Sequence, residues 1–377
     1  MWCCLLLLSV SALRPSSVPC PSRRRSLEMG AAGLGGGWLK PTLVAAGKTS
    51  PLVDVPLRRL RLPRGGFGRD YVLVGIELEG QKEEFLLDTG LSVELVTPKL
   101  REQLHLGASG VSVEGATAGG TGAYEVVELK GARVEGIELP LLHSTVADFP
   151  MEHIDPKHDV TGMLGLEFVR LFDVDVDCKR GRLRLWRLGD GAAIAKRDGL
   201  VEVPAYYNGG LLAVRVAGAQ RGEKRQPFFG IVDSGASLTV LTTEAARLAG
   251  ISEEVLKRER ERARTTKDNS IVGLGVDGRP IQMPLVQVPL ELAGDQDPLS
   301  GAFRTAIALP EDLRVAVGDL PVFEDILGDQ RGKQAAILGM DVWGGSDSRT
   351  IFQGGERRGT TSIFWEPPPN YPNANSP

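Results

Sequence analysis

Cysteine, histidine and long apolar runs are scarce in this chain of 377 residues. Of its 4 cysteines, Cys3, Cys4 and Cys20 lie near the start, so Cys178 stands alone in the remainder. A single cysteine can form neither a disulfide framework nor a cysteine-based metal site. The 4 histidines show no metal-binding spacing, and no apolar run is long enough to span a bilayer. We therefore expect no metal, no disulfide scaffold and no stable membrane span in the mature protein.

Acidic residues are absent before Glu28, and residues 1–65 differ in composition from the rest. The apolar stretch WCCLLLLSV (2–10) is too short to cross a membrane, and a stretch rich in Ser, Pro and Arg follows it. We predict that residues 1–65 are a targeting presequence or disordered. Their order resembles two-part plastid presequences, and the arginine triplet 23–25 also suits a signal for the thylakoid lumen. A cleaved plastid presequence is the expectation, and a secretory or mitochondrial presequence is the alternative.

Neither sign of charge is in large excess, since the formal net charge is −4. After residue 65 the basic run is confined to SEEVLKRERERAR (252–264), whose Ser cap and early acidic residues predict a solvated helix. Nucleic acid is therefore not an expected partner. GLGVDG (273–278) fits G-x-G-x-x-G but precedes Arg-Pro and an alternating run, so no dinucleotide cofactor is expected. DVDVD (173–177) has the period of a strand and lacks the features of a calcium loop.

The chain contains an internal repeat. FLLDTGLSVELVTPKLREQLHLG (85–107) aligns with GIVDSGASLTVLTTEAARLAGIS (230–252), which places Asp88 on Asp233. In both copies a strand-like run leads into Asp-Thr/Ser-Gly, and a second strand-like run follows. A Thr then opens a helix-like stretch that ends near Gly. A lone Asp-Thr-Gly is more often a turn or a helix cap, so only the repetition gives this motif weight.

Further landmarks repeat in the same order. GMLGLEFVRLF (162–172) pairs with AILGMDVWGG (336–345), and RGRLRLW (180–186) pairs with RGTTSIFW (358–365). Each copy therefore runs strand, Asp motif, strand, helix, glycine-containing middle, apolar-apolar-Gly, short helix and a final strand ending in Trp. The second copy is longer, which predicts insertions.

The repeat sets the predicted domain boundaries. They are an N-terminal lobe at 66–190, a linker at 191–197, a C-terminal lobe at 198–366 and a disordered tail at 367–377. The insertions in the second copy are expected around 252–270 and 294–325.

The duplicated pattern resembles the retropepsin-like and pepsin-like aspartic peptidases. The residues that carry the resemblance are LLDTGLS with MLG (163–165), and IVDSGAS with ILG (337–339). It covers about residues 66–366 and implies two fused retropepsin-type lobes. The implied fold is mainly β and bilobal, with few short helices and the active site between the lobes. Without disulfides, the chain is less similar to a secreted pepsin.

Paired carboxylates suit hydrolysis by an activated water. The ionised carboxylate takes a proton from the water, and the protonated one donates to the carbonyl oxygen. Each half supplies one suitable residue, so Asp88 and Asp233 are the predicted catalytic pair. Gly90 and Gly235 allow the backbone to turn sharply there. The resemblance further implies that the hydroxyls of Thr89 and Ser234 each bond across to the opposite loop. The predicted dyad support is therefore Thr89, Gly90, Ser234 and Gly235.

A glycine-rich hairpin is expected to close over the substrate as a flap. The best candidate is ATAGGTGAYEVVEL (116–129), in which Gly120 and Gly122 form the tip and Tyr124 is the neighbouring aromatic. A counterpart is expected at 271–285. An ordinary glycine-rich hairpin is the alternative at both places.

One position departs from the pepsin-like pattern. The residue after Asp-Thr/Ser-Gly usually bears a hydroxyl there, whereas this chain has Leu91 and Ala236. Fewer hydrogen bonds to the charged carboxylates should leave their pKa values higher, which predicts a pH optimum nearer neutral than that of pepsins. Leu91 also leaves open a weakened or inactive site.

Two functions follow from the resemblance. The first is an aspartic endopeptidase that acts on peptide or unfolded protein substrates without metal or organic cofactor. The alternative is a catalytically inactive member of the fold that binds peptides or proteins. A monomer is expected, because both aspartates lie in one chain.

Overall fold

The chain is mainly β with short helices in this computed structural model, which confirms the fold class expected from the sequence. The structure describes residues 2–4, 8–9, 50–62, 67–117, 120–149, 158–208, 210–219, 226–265, 270–274, 280–294, 306–328, 333–345, 347–356 and 359–366. Within these ranges, no helix is both long enough and apolar enough to cross a membrane.

The strands are β1 (Trp2–Cys4), β2 (Leu8–Ser9), β3 (Val53–Pro56), β4 (Arg58–Leu60), β5 (Tyr71–Leu78), β6 (Gln81–Leu87), β7 (Glu94–Val96), β8 (Ala108–Thr117), β9 (Gly120–Leu129), β10 (Arg133–Val134), β11 (Ile137–Glu138), β12 (Leu142–Val146), β13 (Val160–Leu164), β14 (Asp173–Asp177), β15 (Arg182–Trp186), β16 (Val201–Asn208), β17 (Leu211–Gly218), β18 (Phe228–Val232), β19 (Val240–Leu241), β20 (Ser270–Leu274), β21 (Pro280–Gln287), β22 (Leu290–Ala293), β23 (Ala306–Ala308), β24 (Arg314–Val317), β25 (Ala335–Leu338), β26 (Arg349–Phe352) and β27 (Thr360–Glu366).

The helices are short, and several begin where the sequence predicts. They are α1 (Pro98–Gln103), α2 (Leu166–Val169), α3 (Asp190–Asp198), α4 (Thr243–Leu248), α5 (Glu253–Thr265), α6 (Pro321–Leu327) and α7 (Met340–Trp343). The Thr97 and Thr242 side chains each accept a hydrogen bond from the third residue of the helix that follows. The basic segment forms α5 with most of its side chains exposed, as predicted.

Both halves of the chain arrange their strands in the same order. Neighbouring strands run β5-β6-β13-β7-β12-β9-β8 in the first half and β17-β18-β25-β19-β24-β21-β20 in the second. In both, the strand that leads into the Asp motif pairs in parallel with the strand of the apolar-apolar-Gly segment. The repeat in the sequence is therefore also a repeat of strand order.

The two halves share one sheet. Strand β14 of the first half pairs antiparallel with β26 of the second, with Val174 opposite Phe352. Around this pair the strands run β3-β15-β14-β26-β27-β16, so the final strand pair of each half lies at the centre. The predicted linker 191–197 lies within α3. The halves are thus joined by hydrogen-bonded strands as well as by one connection.

The folded part begins earlier than the sequence predicts. Strand β3 pairs with β15, and β4 pairs with β5, although both strands lie within the predicted presequence 1–65. Leu60 is fully buried in the core of the first half. The predicted boundary at residue 66 is therefore too late, because the tandem repeat marks only the part of each half that has a copy. Strands β1 and β2 pair with β20 and β8.

The DVDVD segment forms β14, as its period of two predicts, and its aspartates are buried. Asp175 accepts hydrogen bonds of 2.8 and 2.7 Å from Arg349 on β26, and the same guanidinium donates to Asp198 at 2.6 Å. The Arg349 side chain is only 4% exposed. This ion-pair cluster ties the two halves together, and removal of one partner would leave a buried charge uncompensated.

The strands that lead to the Asp motifs are buried on both faces where they approach the aspartates. Phe85, Leu86 and Leu87 are fully buried at the end of β6, and β18 is buried throughout. The sequences of such strands are continuous apolar runs and do not alternate between apolar and polar residues. Each run therefore carries its Asp into the interior of the molecule, where the two halves meet.

Candidate active site

Parallel strand pairing positions each aspartate. The Asp88 N–H donates to Leu164 O at 2.9 Å, where β6 ends beside β13. The Asp233 N–H donates to Leu338 O at 3.0 Å, where β18 ends beside β25. Both aspartates are 0% exposed. The two Asp motifs thus leave their sheets in equivalent ways and enter the space between the halves.

A tight turn follows each aspartate. The Gly90 N–H donates to Asp88 Oδ1, and the Gly235 N–H donates to Asp233 Oδ1, both at 2.8 Å. A Cβ at Gly90 would lie 2.7 Å from Asp233 Cγ, and a Cβ at Gly235 would lie 2.3 Å from Asp88 Cγ. Each carboxyl group therefore packs directly against the glycine of the opposite half, and only glycine fits at either place.

Four hydrogen bonds cross between the loops. The Thr89 N–H donates to Ser234 Oγ at 3.0 Å, and the Ser234 N–H donates to Thr89 Oγ1 at 3.0 Å. The Thr89 hydroxyl donates to Val232 O, and the Ser234 hydroxyl donates to Leu87 O, both at 2.8 Å. Each hydroxyl both accepts and donates in a buried setting, so this reciprocal set fixes the distance between the aspartates.

The electrostatics of the pair favour one shared proton. The Asp88 and Asp233 carboxyl groups lie close enough to each other for each to shift the pKa of the other. Burial, followed by the charge of Asp233, raises the pKa of Asp88 well above its usual value, and burial raises the pKa of Asp233 to about 7. Their Oδ2 atoms receive no hydrogen bond from the described residues. Two carboxyl oxygens can bond to each other only through a proton, so the pair ionises as one coupled unit.

Leu91 does not obstruct the pair. Its side chain is 0% exposed and packs in the apolar cluster of the first half. Its N–H lowers the pKa of Asp88, and the Ala236 N–H does the same for Asp233. The Leu91 and Ala236 N–H groups donate to Asp88 O and Asp233 O at 3.3 Å, and the Gly90 and Gly235 N–H groups donate to the carboxyl oxygens. This geometry removes a steric reason for inactivity.

The first predicted flap lies in a long hairpin. Strands β8 and β9 pair up to Thr117 opposite Gly120, and Gly122 is opposite Gly115. Helix α6 of the second half contacts both strands, so the hairpin reaches across to the other half. Tyr124 is half-buried and packs against the core of the first half.

The predicted counterpart is also a hairpin. Strands β20 and β21 pair from Ser270 opposite Pro284 to Leu274 opposite Pro280. Its connection, 275–279, lies outside the described residues, as do 118–119 of the first hairpin. A strand follows GLGVDG, so the helix required for a dinucleotide site is absent at this described position.

Two acidic residues behind the loops were not singled out from the sequence. Glu94 is fully buried, and its Oε1 accepts a hydrogen bond from the Phe168 N–H at 2.8 Å. Asp341 accepts two hydrogen bonds from Thr239, through the N–H at 2.8 Å and the hydroxyl at 2.7 Å. The available signal for Asp341 is an acid two residues after the apolar-apolar-Gly segment; the same signal in the first copy marks Glu167, and it does not mark Glu94. Among the described residues, no cluster of His, Cys, Asp and Glu could hold a metal ion.

Comparison with protein families supports this assignment of the first half. A family model described as "Aspartyl protease" matches residues 74–168, which run from within β5 through β13 and include Asp88. The match covers less than half of the chain. It makes the first half similar to aspartyl protease domains and adds independent support to the fold described above. No curated protein matches the sequence.

Comparison with solved structures gives matches to plant and bacterial proteins, all with TM-scores under 0.5. Conglutin gamma, a basic 7S globulin from lupine seeds, gives a TM-score of 0.43 at 10% identity over 84% of this chain and 95% of that chain. Basic 7S globulin from soybean gives 0.40 at 10% identity over 83% and 94%. A retropepsin-like aspartic protease from Rickettsia conorii gives 0.22 at 15% identity over 37% and 95%. Similarities this low assign no activity.

Proposed function

We propose that this chain is an aspartic endopeptidase with Asp88 and Asp233 as its catalytic pair. The observation that carries the proposal is the reciprocal hydrogen bonding of Thr89 and Ser234, which fixes the two Asp loops together so that each buried carboxyl group packs against the glycine of the opposite loop. A purely structural role gives no reason to bury two acids against each other, because their desolvation opposes folding. A shared proton between carboxyls is the arrangement that acid–base hydrolysis needs.

In the proposed reaction, a water bound between the two carboxyls attacks the peptide carbonyl carbon. The ionised carboxylate accepts a proton from the water, while the protonated carboxyl donates its proton to the carbonyl oxygen. Collapse of the tetrahedral intermediate transfers a proton to the leaving amine. The Gly90 and Gly235 N–H groups hold the inner oxygen of each carboxyl throughout. No metal and no covalent enzyme intermediate is required.

The proposed substrate is an extended peptide or a segment of an unfolded protein. The two hairpins, with Gly120, Gly122 and Tyr124 in the first, are proposed to cover it and to supply main-chain hydrogen bonds by strand addition. A cavity of about 280 Å³ adjoins the base of the first hairpin, and Val93, Val111, Val113 and Val126 contribute apolar walls. Its size and lining suit an aliphatic side chain.

The test compares the mature chain with Asp88→Asn and Asp233→Asn on unfolded protein substrates between about pH 3 and pH 8. Wild type should cleave, and each variant should lose at least about 10³-fold in kcat, because an amide cannot exchange the required proton. A statine-type inhibitor should block cleavage, since it imitates the tetrahedral intermediate. Wild type that cleaves nothing across this range, yet binds extended peptides, would support the inactive peptide-binding alternative instead.

We also propose that the chain is a monomer delivered to a plastid by its N-terminal presequence. Because β3 pairs with β15, the proposed cleavage site lies before Val53. A fusion of residues 1–49 to a fluorescent protein should reach the plastid, and N-terminal sequencing of the mature chain should give a start before residue 53. Delivery to mitochondria or the secretory pathway would overturn this assignment. Light scattering of the mature chain checks the oligomeric state.

A further inference from the structure

A short helix lies behind each Asp loop and binds it in the same way. The Leu166 N–H of α2 donates to Leu91 O at 2.8 Å, and the Met340 N–H of α7 donates to Ala236 O at 2.8 Å. Both acceptors are the third residue after the aspartate. The glycine before each helix permits this approach, since a Cβ at Gly339 would lie 2.6 Å from Leu238. One end of each loop is thereby fixed to its helix.

The other end of the second loop is fixed by a carboxylate of the helix. Asp341 accepts from the Thr239 N–H at 2.8 Å and from the Thr239 hydroxyl at 2.7 Å. The same hydroxyl oxygen lies 3.3 Å from the Gly339 N–H, which donates to it. Thr239 is 0% exposed. Burial raises the pKa of Asp341 to about 6, although the hydrogen bonds from Thr239 favour its charged form. Above that pH the acceptor is ionised, and hydrogen bonds to an ionised acceptor are roughly twice as strong as neutral ones.

In the first half the carboxylate that joins loop and helix belongs to the loop side and not to the helix. Glu94 occupies the position of Thr239 in the repeat, and its Oε1 accepts from the Phe168 N–H of α2 at 2.8 Å. Glu167, which occupies the position of Asp341, instead accepts from the His143 N–H of β12 at 2.9 Å. Each half thus keeps one carboxylate between loop and helix, although the residue that supplies it differs.

We propose that Asp341 is a positioning residue for the catalytic pair and that Glu94 is its counterpart in the first half. The inference rests on the proposed function and extends it to residues that touch neither substrate nor dyad. Between Asp233 and Thr239, three residues bond to β25 or α7: the Asp233 N–H donates to Leu338 O, Ala236 O accepts from the Met340 N–H, and Thr239 donates to Asp341.

Loss of the third contact leaves the segment that carries the Gly235 and Ala236 N–H groups fixed to β25 and α7 only at residues 233 and 236. Both groups stabilise the charged form of Asp233. A small displacement of a catalytic group is enough to lower the rate strongly while substrate binding along the cleft persists. The expected signature is therefore a fall in kcat with little change in KM, together with a shifted pH–rate profile.

The experiment uses Asp341→Asn and the milder Thr239→Val, which removes only the hydroxyl bonds. The chain offers a matched control in Asp319→Asn, because Asp319 accepts from the Thr243 N–H at 2.8 Å and the Thr243 hydroxyl at 2.7 Å at the exposed start of α4. Kinetics on the full-length mature chain are combined with hydrogen–deuterium exchange of segments 230–242 and 84–95.

Asp341→Asn should lower kcat by about 10- to 100-fold with KM within about 3-fold, and Thr239→Val should lower it less. Thr239→Ser should retain more activity than Thr239→Val, because it keeps the hydroxyl. Exchange should rise in 230–242 and not in 84–95, whereas Asp319→Asn should leave both segments and kcat unchanged.

Unchanged exchange and kcat in Asp341→Asn, or equal losses in the Asp319→Asn control, would overturn the proposal. If Asp341→Asn does not fold, Thr239→Val gives the decision on the same measurements. If wild type lacks peptidase activity, the proposed function fails, and exchange in 230–242 still decides whether Asp341 holds this loop.

Discussion

At the scale of single residues, the site depends on the absence of a side chain at Gly90 and Gly235. Each lies against the carboxyl group of the opposite half, and neither needs a left-handed backbone, so the requirement is for space alone. Asp-Thr/Ser-Gly therefore encodes more than a turn. Its Asp supplies the carboxyl, its hydroxyl crosses to the other loop, and its Gly admits the other carboxyl.

Gly235→Ala tests this requirement. The added Cβ would lie 2.3 Å from Asp88 Cγ, so the loops must separate and the shared proton is lost. We expect kcat to fall by at least about 10²-fold and the free energy of unfolding to fall by about 1–3 kcal/mol. Gly107→Ala is the control, because a Cβ there meets nothing within 4 Å. Equal effects of the two substitutions in kinetics and urea unfolding would contradict the packing argument.

At the scale of elements, two helix caps with the same sequence signal differ in their burial and in their contacts. Thr97 and Thr242 both cap a helix at 3.1 Å, and both were predicted from the same punctuation. Thr242 is 1% exposed, and its hydroxyl also donates to Lys333 O at 2.6 Å and lies 3.3 Å from the Ala335 N–H. Thr97 is half-buried at the equivalent place. The cap of α4 therefore also fixes the chain that enters β25.

Thr242→Ala should accordingly destabilise the protein more than Thr97→Ala. Loss of an N-cap costs about 1 kcal/mol, and an unsatisfied buried partner adds about 1–3 kcal/mol. We expect a fall of about 1 kcal/mol in the free energy of unfolding for Thr97→Ala and of about 2–3 kcal/mol for Thr242→Ala. Urea denaturation of both variants at one pH measures this, and equal losses would show that the extra contacts contribute nothing.

The sequence predicts best what is local or repeated. Short stretches of sequence are enough to predict the helix caps, the strand period of DVDVD and the two Asp motifs. The alignment of the copies predicts the duplicated strand order. The repeat does not predict the contact between Asp341 and Thr239, because Glu167, which occupies the position of Asp341, bonds elsewhere and Glu94, at the position of Thr239, supplies the carboxylate instead. Strand β3 was missed as well, since its partner β15 lies more than 120 residues away in the chain. Pairings of that kind carry no local pattern.

At the scale of the whole molecule, the surroundings of the acidic residues couple folding to pH in two opposite directions. Asp198 lies outside the candidate site, and its ion pairs with Arg197 and Arg349 lower its pKa to about 2. A lowered pKa adds stability above the unfolded value, and that stability is lost as the pH falls towards 2. Asp88 and Asp233 have raised pKa values, so they favour the folded state most at low pH. Their contribution is lost as the pH rises from about 4 towards 7.

The free energy of unfolding should therefore peak near pH 4 to 5 and decline towards pH 7, where the dyad must release a proton in a buried site.

Asp88→Asn removes one of the two competing charges, and its amide can donate to the carboxylate of Asp233. We expect this variant to be more stable than wild type at pH 7 by about 1–3 kcal/mol and to show a smaller decline between pH 4 and pH 7. Asp312→Asn, at an exposed position, should follow the wild-type profile. Urea midpoints at pH 4, 5.5 and 7 measure the difference. Parallel profiles for wild type and Asp88→Asn would mean that the pair is not held in contact, because two buried acids that share a proton cannot ionise without cost to the fold.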